Sequence, residues 1–328
     1  MLKVGINGFG RIGRRITRLA FEQERAIQIV HINEPTDIDT AAHLLKYDSV
    51  HRTFGHDIQH AVNQLTINDS KIHFTHFTNP HEIPWHETDV DVVIECSGKF
   101  KDRVQLEQHL KPGVKRVILS VPPTDDSIKT VVLGVNEFVL TQEDQIISNA
   151  SCTTNNVAPI IKIIDDLCGI EQAFVSTVHS YTSDQTLHDR PHRDLRRGRA
   201  AGSSIIPTTT GAAKALTKIF PHLSNVIGGC GIRVPVANGS LSDITINLKR
   251  TVPVSAIHAA IQEYESKQEY QIINYSTAAL VSVDILGSPY SCIYDANMTT
   301  LVDKMLKIIT WYDNETGYSS RILDLLTI

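Results

Sequence analysis

No Cys-x-x-Cys pair occurs among the five widely spaced cysteines Cys96, Cys152, Cys168, Cys230 and Cys292, so the sequence offers neither a disulfide framework nor a zinc site. Their odd number leaves at least one free thiol. Positive charge is not in excess either: 31 Lys and Arg stand against 36 Asp and Glu, and a formal charge of −5 gives nucleic acid or an anionic membrane little to hold. No apolar run reaches the roughly 18 residues needed to cross a bilayer, and Met1-Leu2-Lys3-Val4 leads into a strand pattern without a secretory leader. Repeats, low-complexity tracts and linkers are lacking too. The expectation is a cytoplasmic protein whose partners are small molecules or further copies of itself. Histidines are frequent in the first half, but none forms a His-Glu-x-x-His pattern beside a carboxylate, so no metal site is expected.

At 328 residues the chain is long enough for two domains, since single cores rarely grow beyond about 250–300 residues. The first opens with a buried strand pattern at Lys3–Asn7, the turn Gly8-Phe9-Gly10-Arg11-Ile12-Gly13, and a helix pattern carrying Ile16, Leu19 and Ala20. A second apolar run, Ile27–Ile32, ends in Asn33-Glu34, 21 positions beyond Gly13. That is the spacing of a dinucleotide fold: Gly8 permits the tight turn, Gly10 lets backbone approach a pyrophosphate, and Gly13 lets helix and strand pack closely. Phosphates would lie on the helix N-terminus, and Glu34 would accept from a ribose hydroxyl and repel a 2′-phosphate. Further strand patterns at Val90–Glu95, Arg116–Ser120 and Thr130–Gly134 put Ser97 and Ser120 at the carboxyl edge of a parallel sheet, where ligands bind. A hairpin is expected around Asp69-Ser70.

In the second half, Ser148-Asn149-Ala150-Ser151-Cys152-Thr153-Thr154-Asn155 places one cysteine at the start of a helix whose stripe is Val157, Ile160, Ile161, Ile163, Ile164 and Leu167. Unpaired N–H groups and the helix dipole there favour the thiolate, which is the nucleophile. A buried structural cysteine is the competing reading of the motif alone. The strand pattern Ala173–His179 ends in a histidine 27 residues after Cys152, within reach across one β-α-β corner, where His179 would serve as acid and base. Ile205–Lys214 sets hydroxyls and amides ahead of a helix, as anion cradles do, and Asp194–Arg199 supplies arginines. Strand or helix patterns follow at Val226–Val234, Ser240–Leu248, Ala256–Ser266, Leu280–Leu286 and Ser291–Asn297.

These motifs, taken in order, resemble the phosphorylating glyceraldehyde-3-phosphate dehydrogenases over essentially the whole chain: INGFGRIGR at Ile6–Arg14, SNASCTTN at Ser148–Asn155, HSYTSDQ at His179–Gln185, DLRRGRAA at Asp194–Ala201, IIPTTTGAAKA at Ile205–Ala215, RVP at Arg233–Pro235 and WYDNETGYS at Trp311–Ser319. The resemblance implies an α/β protein with a doubly wound parallel Rossmann domain over 1–151, completed by a C-terminal helix at 315–328. It implies an α+β catalytic domain with a mostly antiparallel sheet over 152–314. Cys152 would be the nucleophile and His179 its base. Thr182, Asp184 and Arg233 would hold the substrate's own phosphate, and Ser151, Thr153, Arg197, Thr210 and Gly211 inorganic phosphate. NAD would lie on Gly8, Gly10, Arg11, Ile12, Gly13, Glu34, Ser97 and Ser120, with Asn314 on its carboxamide. The implied reaction is NAD-dependent oxidative phosphorylation of glyceraldehyde-3-phosphate to 1,3-bisphosphoglycerate through a Cys152 thioester, in a homotetramer whose loop Ser183–Ser203 lies against a neighbouring copy.

The sequence also departs from that pattern. Asn156 stands where the family commonly has a second cysteine, which removes one route to an internal disulfide. Glu34 replaces the usual aspartate, and Asn33-Glu34 is similar to the erythrose-4-phosphate dehydrogenases, the alternative substrate class. Thr182 and Thr208-Thr209-Thr210-Gly211 resemble the glyceraldehyde-3-phosphate group instead. Arg190-Pro191 replaces a common Leu-Pro near the adenosine end, and a cation there weakens the selection against NADP. A catalytically silent, moonlighting relative is expected to lose Cys152, His179 or Arg233, and all three are present.

Overall fold

The computed structural model describes residues 1–23 and 25–328, which form two compact units. One comprises Met1–Val131, Phe138–Ala150 and Ser319–Ile328, and the other Val132–Glu137 and Ser151–Tyr318.

The first unit is built on a nine-stranded sheet. Its spatial order is Lys129–Thr130, Ile146–Ser148, Arg116–Leu119, Val92–Glu95, Leu2–Asn7, Ile27–Asn33, Ser70–Thr75, Gln64–Ile67 and Ile58–Ala61. Neighbours from Lys129–Thr130 through Ser70–Thr75 run parallel; the expected hairpin joins Gln64–Ile67 antiparallel to Ser70–Thr75, and Ile58–Ala61 adds a further antiparallel strand that was not expected. Parallel strands here read as continuous apolar runs because both faces are covered; Val4, Ile6, Val93, Ile94, Val117 and Ile118 are all buried. Successive strands lie to either side of Leu2–Asn7, so the order reverses there and opens a crevice beyond Asn7. The strand expected at Thr130–Gly134 stops at Thr130. Beyond it, the Val132 amide turns to Asn136 Oδ1 at 2.8 Å and Gly134 adopts φ +77°, so the apolar run continues as a buried turn.

The second unit carries a seven-stranded mixed sheet in the order Ile206–Thr208, Ile227–Val234, Ile170–Ser180, Ser240–Leu248, Met305–Tyr312, Cys292–Val302, Ile273–Ser276. Most of its pairings are antiparallel, the exceptions being Ile170–Ser180 with Ile227–Val234 and Ile273–Ser276 with Cys292–Val302. Helices Cys152–Cys168, Ala212–Ile219 and Val254–Lys267 belong to the same unit, and Val157, Ile160, Ile161 and Ile164 on the first are fully buried. Leu280–Leu286 is a succession of turns rather than a strand. The Asp284 carboxylate takes the Val281 amide at 2.8 Å, and Val281 and Val283 are exposed, so these apolar side chains have no core to alternate against.

Candidate active site

Helix Cys152–Cys168 begins where Ser151 breaks from extended backbone, its hydroxyl accepting from the Thr154 amide at 3.1 Å. This N-cap makes Cys152 the first helical residue and exposes its sulfur to the unpaired N–H end of the helix. Strand Ile170–Ser180 returns beside that helix and brings His179 Nε2 to 3.5 Å from Cys152 Sγ. In the parallel register His179 lies opposite Arg233, whose Nη1 stands 2.5 Å from His179 Nδ1 and donates to the Ser180 carbonyl at 2.8 Å. Cys152, His179 and Arg233 therefore form one cluster.

Burial and charge act on these groups in opposing directions. Burial is the largest influence and leaves the Cys152 thiol raised, against the expectation of a favoured thiolate at the helix start, although the Arg233 charge and the Thr153 hydroxyl and amide oppose it. Burial, followed by Arg233, pulls His179 down to about 3. At neutral pH the imidazole is accordingly uncharged, and burial together with the Arg233 charge opposes its protonation. Tyr312, which the sequence did not single out as a site residue, packs edge-on against the His179 ring at 6.0 Å. Its hydroxyl bridges Thr153 Oγ1 at 2.9 Å and Thr177 Oγ1 at 2.8 Å, fixing the helix start to the strand. Its place in the WYDNETGYS run was the only available signal.

The anion-site candidates fall into two groups. Arg197 pairs with Asp184 and reaches Thr208 Oγ1 at 2.9 Å and the Thr209 carbonyl at 3.3 Å, which pins the arginine loop to strand Ile206–Thr208. Its charge bears on His179, and that of Asp184 bears on Arg233. Thr182 lies on the same loop, its amide donating to Gln185 at 3.3 Å. Thr210 and Gly211 precede helix Ala212–Ile219, which has no side-chain cap, and a Cβ at Gly211 would meet nothing within 4 Å. Thr210 Oγ1 accepts from the Ala212 amide at 3.2 Å, and a helix N-terminus of this kind suits an anion. Asn314 is held by two further residues that sequence reasoning missed: its Oδ1 accepts from Ser180 at 2.9 Å and Ser240 at 2.8 Å.

In the first unit the glycine turn has the shape that a dinucleotide needs. Gly8 has φ +93°, and a Cβ there would fall 2.4 Å from the Ser97 nitrogen; one on Gly13 would fall 2.3 Å from the Gly8 carbonyl. Gly10 has open space on that side. Helix Arg11–Glu22 has no side-chain cap, and the Arg11 side chain is engaged with Asp48. Glu34 Oε2 accepts from the Phe9 amide at 2.7 Å and lines, with Gly8, Gly10, Phe77, Ser97 and Phe100, a pocket of about 160 Å³. Ser120 is buried at the end of strand Arg116–Leu119, its amide on the Glu95 carbonyl at 3.0 Å. Pyrophosphate on the turn and ribose on the carboxylate fit this cradle.

Comparison with known proteins finds two matching family models. A family model described as the NAD binding domain of glyceraldehyde 3-phosphate dehydrogenase matches residues 2–103, and one described as its C-terminal domain matches residues 151–314. Glyceraldehyde-3-phosphate dehydrogenase 2 of Bacillus subtilis (strain 168) is 44% identical over 328 residues, covering 99% of this chain and 96% of its own. The enzymes of Geobacillus stearothermophilus and Mycobacterium avium are 44% and 43% identical, covering 99% and 100% of this chain and 97% and 98% of theirs.

Proposed function

The chain belongs to the glyceraldehyde-3-phosphate dehydrogenase family, and from that premise we propose that it oxidises glyceraldehyde-3-phosphate with NAD and inorganic phosphate to 1,3-bisphosphoglycerate. The observation that carries the reading is Cys152 Sγ at 3.5 Å from His179 Nε2 with Arg233 behind the imidazole.

Cys152 adds to the aldehyde carbon as its thiol proton passes by way of His179 Nε2 to the aldehyde oxygen, giving a hemithioacetal whose oxygen also takes a hydrogen bond from the Cys152 amide. For His179 to remove the hydroxyl proton, Nε2 must be the acceptor, so the proton must sit on Nδ1 facing the Ser180 carbonyl at 2.7 Å. Arg233 competes for Nδ1 in the ligand-free chain. Drawing Arg233 onto the substrate phosphate, alongside Thr182 and Asp184, frees Nδ1 for that role. NAD, when bound, supplies the hydride acceptor. The Cys152 thioester left behind is attacked by inorganic phosphate held by Ser151, Thr153, Arg197, Thr210 and Gly211, and the acyl phosphate leaves with the thiolate restored. Gly8, Gly10, the Arg11, Ile12 and Gly13 amides, Glu34, Ser97 and Ser120 hold the dinucleotide, and the Asn314 amide nitrogen binds its carboxamide.

Leu187, Leu195 and Ile205, in and beside the Ser183–Ser203 loop, are large exposed apolar side chains that an interface would cover, which supports assembly as a homotetramer. Sedimentation at micromolar concentration tests this, a monomer being the contrary result. The family resemblance implies a cytoplasmic enzyme; no helix among the described residues is long and apolar enough to cross a membrane. Initial rates with glyceraldehyde-3-phosphate and erythrose-4-phosphate, with and without phosphate, test the activity. The expected kcat/KM ratio is at least about tenfold in favour of the three-carbon substrate, because misplacing a carbonyl by one carbon costs up to about 10²-fold. Faster, phosphate-independent oxidation of the four-carbon aldehyde would overturn the assignment.

A further inference from the structure

Beneath the glycine turn lies a chain of buried hydrogen bonds that the reaction scheme leaves unused. Trp85 Nε1 donates to His109 Nδ1 at 3.2 Å, and His109 Nε2 meets Glu95 Oε2 at 3.0 Å; all three side chains are 0% exposed. An indole N–H only donates, so His109 Nδ1 accepts and the imidazole proton sits on Nε2, facing the carboxylate. Glu95 Oε2 also accepts from Asn7 Nδ2 at 2.5 Å, and Oε1 accepts from the Ser97 amide at 2.7 Å and hydroxyl at 2.5 Å. Four donors thus fill the four lone-pair directions of one carboxylate, and no side chain but a carboxylate accepts four. No cation is among these partners. A buried carboxylate matched only by neutral donors is expensive, and a core needing mere packing would use an apolar residue.

Its position says what it does. Glu95 and Asn7 end adjacent parallel strands and are paired in register. The residues that follow them form the two walls of the nucleotide pocket: Gly8 packs so closely on Ser97 that no Cβ fits between them. Asn7 Oδ1 in turn accepts from Asn33 Nδ2 at 2.8 Å, and the Gly8 amide donates to the Asn33 carbonyl at 2.9 Å. Both walls of the turn are therefore tied to one carboxylate.

We propose that Glu95 is a positioning residue of the dinucleotide site, setting Asn7, Ser97 and through them the Gly8 turn, while Trp85 and His109 lock the carboxylate from behind. This rests on the reading of the pocket as the NAD site. Glu95→Gln tests it, because the amide must turn its N–H groups either on Ser97 or on Asn7 and His109. The dissociation constants of NAD and ADP-ribose, measured by calorimetry, are expected to rise about tenfold or more, the worth of one good hydrogen bond lost beside an unpaired donor. KM for NAD should follow, while kcat at saturating NAD and KM for the aldehyde phosphate stay within about threefold. If Glu95→Gln does not fold, Trp85→Phe keeps the core filled and removes only the donor that fixes the His109 tautomer. It should raise the NAD dissociation constant about threefold at unchanged aldehyde KM. A folded variant of either kind that binds NAD as tightly as the wild type overturns the positioning role alone. A wild-type chain that binds no NAD overturns the cofactor reading beneath it.

Discussion

Replacing Asn156 by the cysteine common in the family tests whether that position is structural in this chain. Asn156 sits one turn beyond Cys152, is 0% exposed, and accepts from Thr310 Oγ1 at 2.8 Å. Its nitrogen donates to the Ser291 and Trp311 carbonyls at 3.3 and 3.4 Å, long bonds that contribute less. Asn156→Cys removes all three and strands a buried hydroxyl, at about 1–3 kcal/mol for such a group. The Cys292 thiol beside Thr310 takes up part of that loss. A net cost of about 2 kcal/mol corresponds to a fall in melting temperature of about 4–8 °C. Scanning calorimetry in the presence of reductant reads that value, and kcat should hold because Asn156 touches no reacting atom. After peroxide treatment the variant should recover activity with dithiothreitol more fully than the wild type, since two sulfurs a helical turn apart lie within disulfide range of about 6 Å. Melting within 1 °C of wild type would refute the idea that the amide ties helix to sheet.

Cys152→Ser should abolish turnover and leave NAD binding nearly unchanged; activity within about tenfold of wild type would rule out covalent catalysis. His179→Asn should slow acylation by roughly 10²–10⁴ and also slow iodoacetamide alkylation of Cys152, and an unaltered alkylation rate would dissolve the pairing. NAD should be preferred over NADP by about tenfold or more, or about 1.4 kcal/mol, because Glu34 already holds the Phe9 amide and would face a phosphate dianion; equal kcat/KM for both would mean that Arg190 offsets it. His31, buried and beside His73, and His179, buried and beside Arg233, are each held down to about 3. Between pH 6.5 and 3 the unfolded chain binds protons that these two refuse. Stability should therefore fall on acidification by about 1.4 kcal/mol per pH unit for each, and His31→Gln should remove one share. Urea midpoints that stay level from pH 6.5 to 5 would contradict this.

What could be read from the sequence was what depends on neighbours along the chain. Gly8, Gly10, Gly13 and Glu34 were legible because one strand, one turn and one helix fix their relation. Cys152 and His179 were legible for the same reason, one helix and one strand separating them. Arg233 behind His179 was not, since that contact follows from the register of two parallel strands 54 residues apart, and no local pattern states a register. The same holds for Tyr312 bridging Thr153 and Thr177, and for Ser180 and Ser240 on Asn314. Leu280–Leu286 failed for the opposite reason: its Val and Leu content suggests a strand, but strand propensity measures fit to a half-buried surface, and that surface is missing there. The division has a chemical consequence. The residues proposed to make or break bonds lie on short, local motifs, whereas those that touch His179 or the Asn314 amide oxygen arrive from distant strands, so substitutions that shift the register of the seven-stranded sheet should impair catalysis while every motif remains intact.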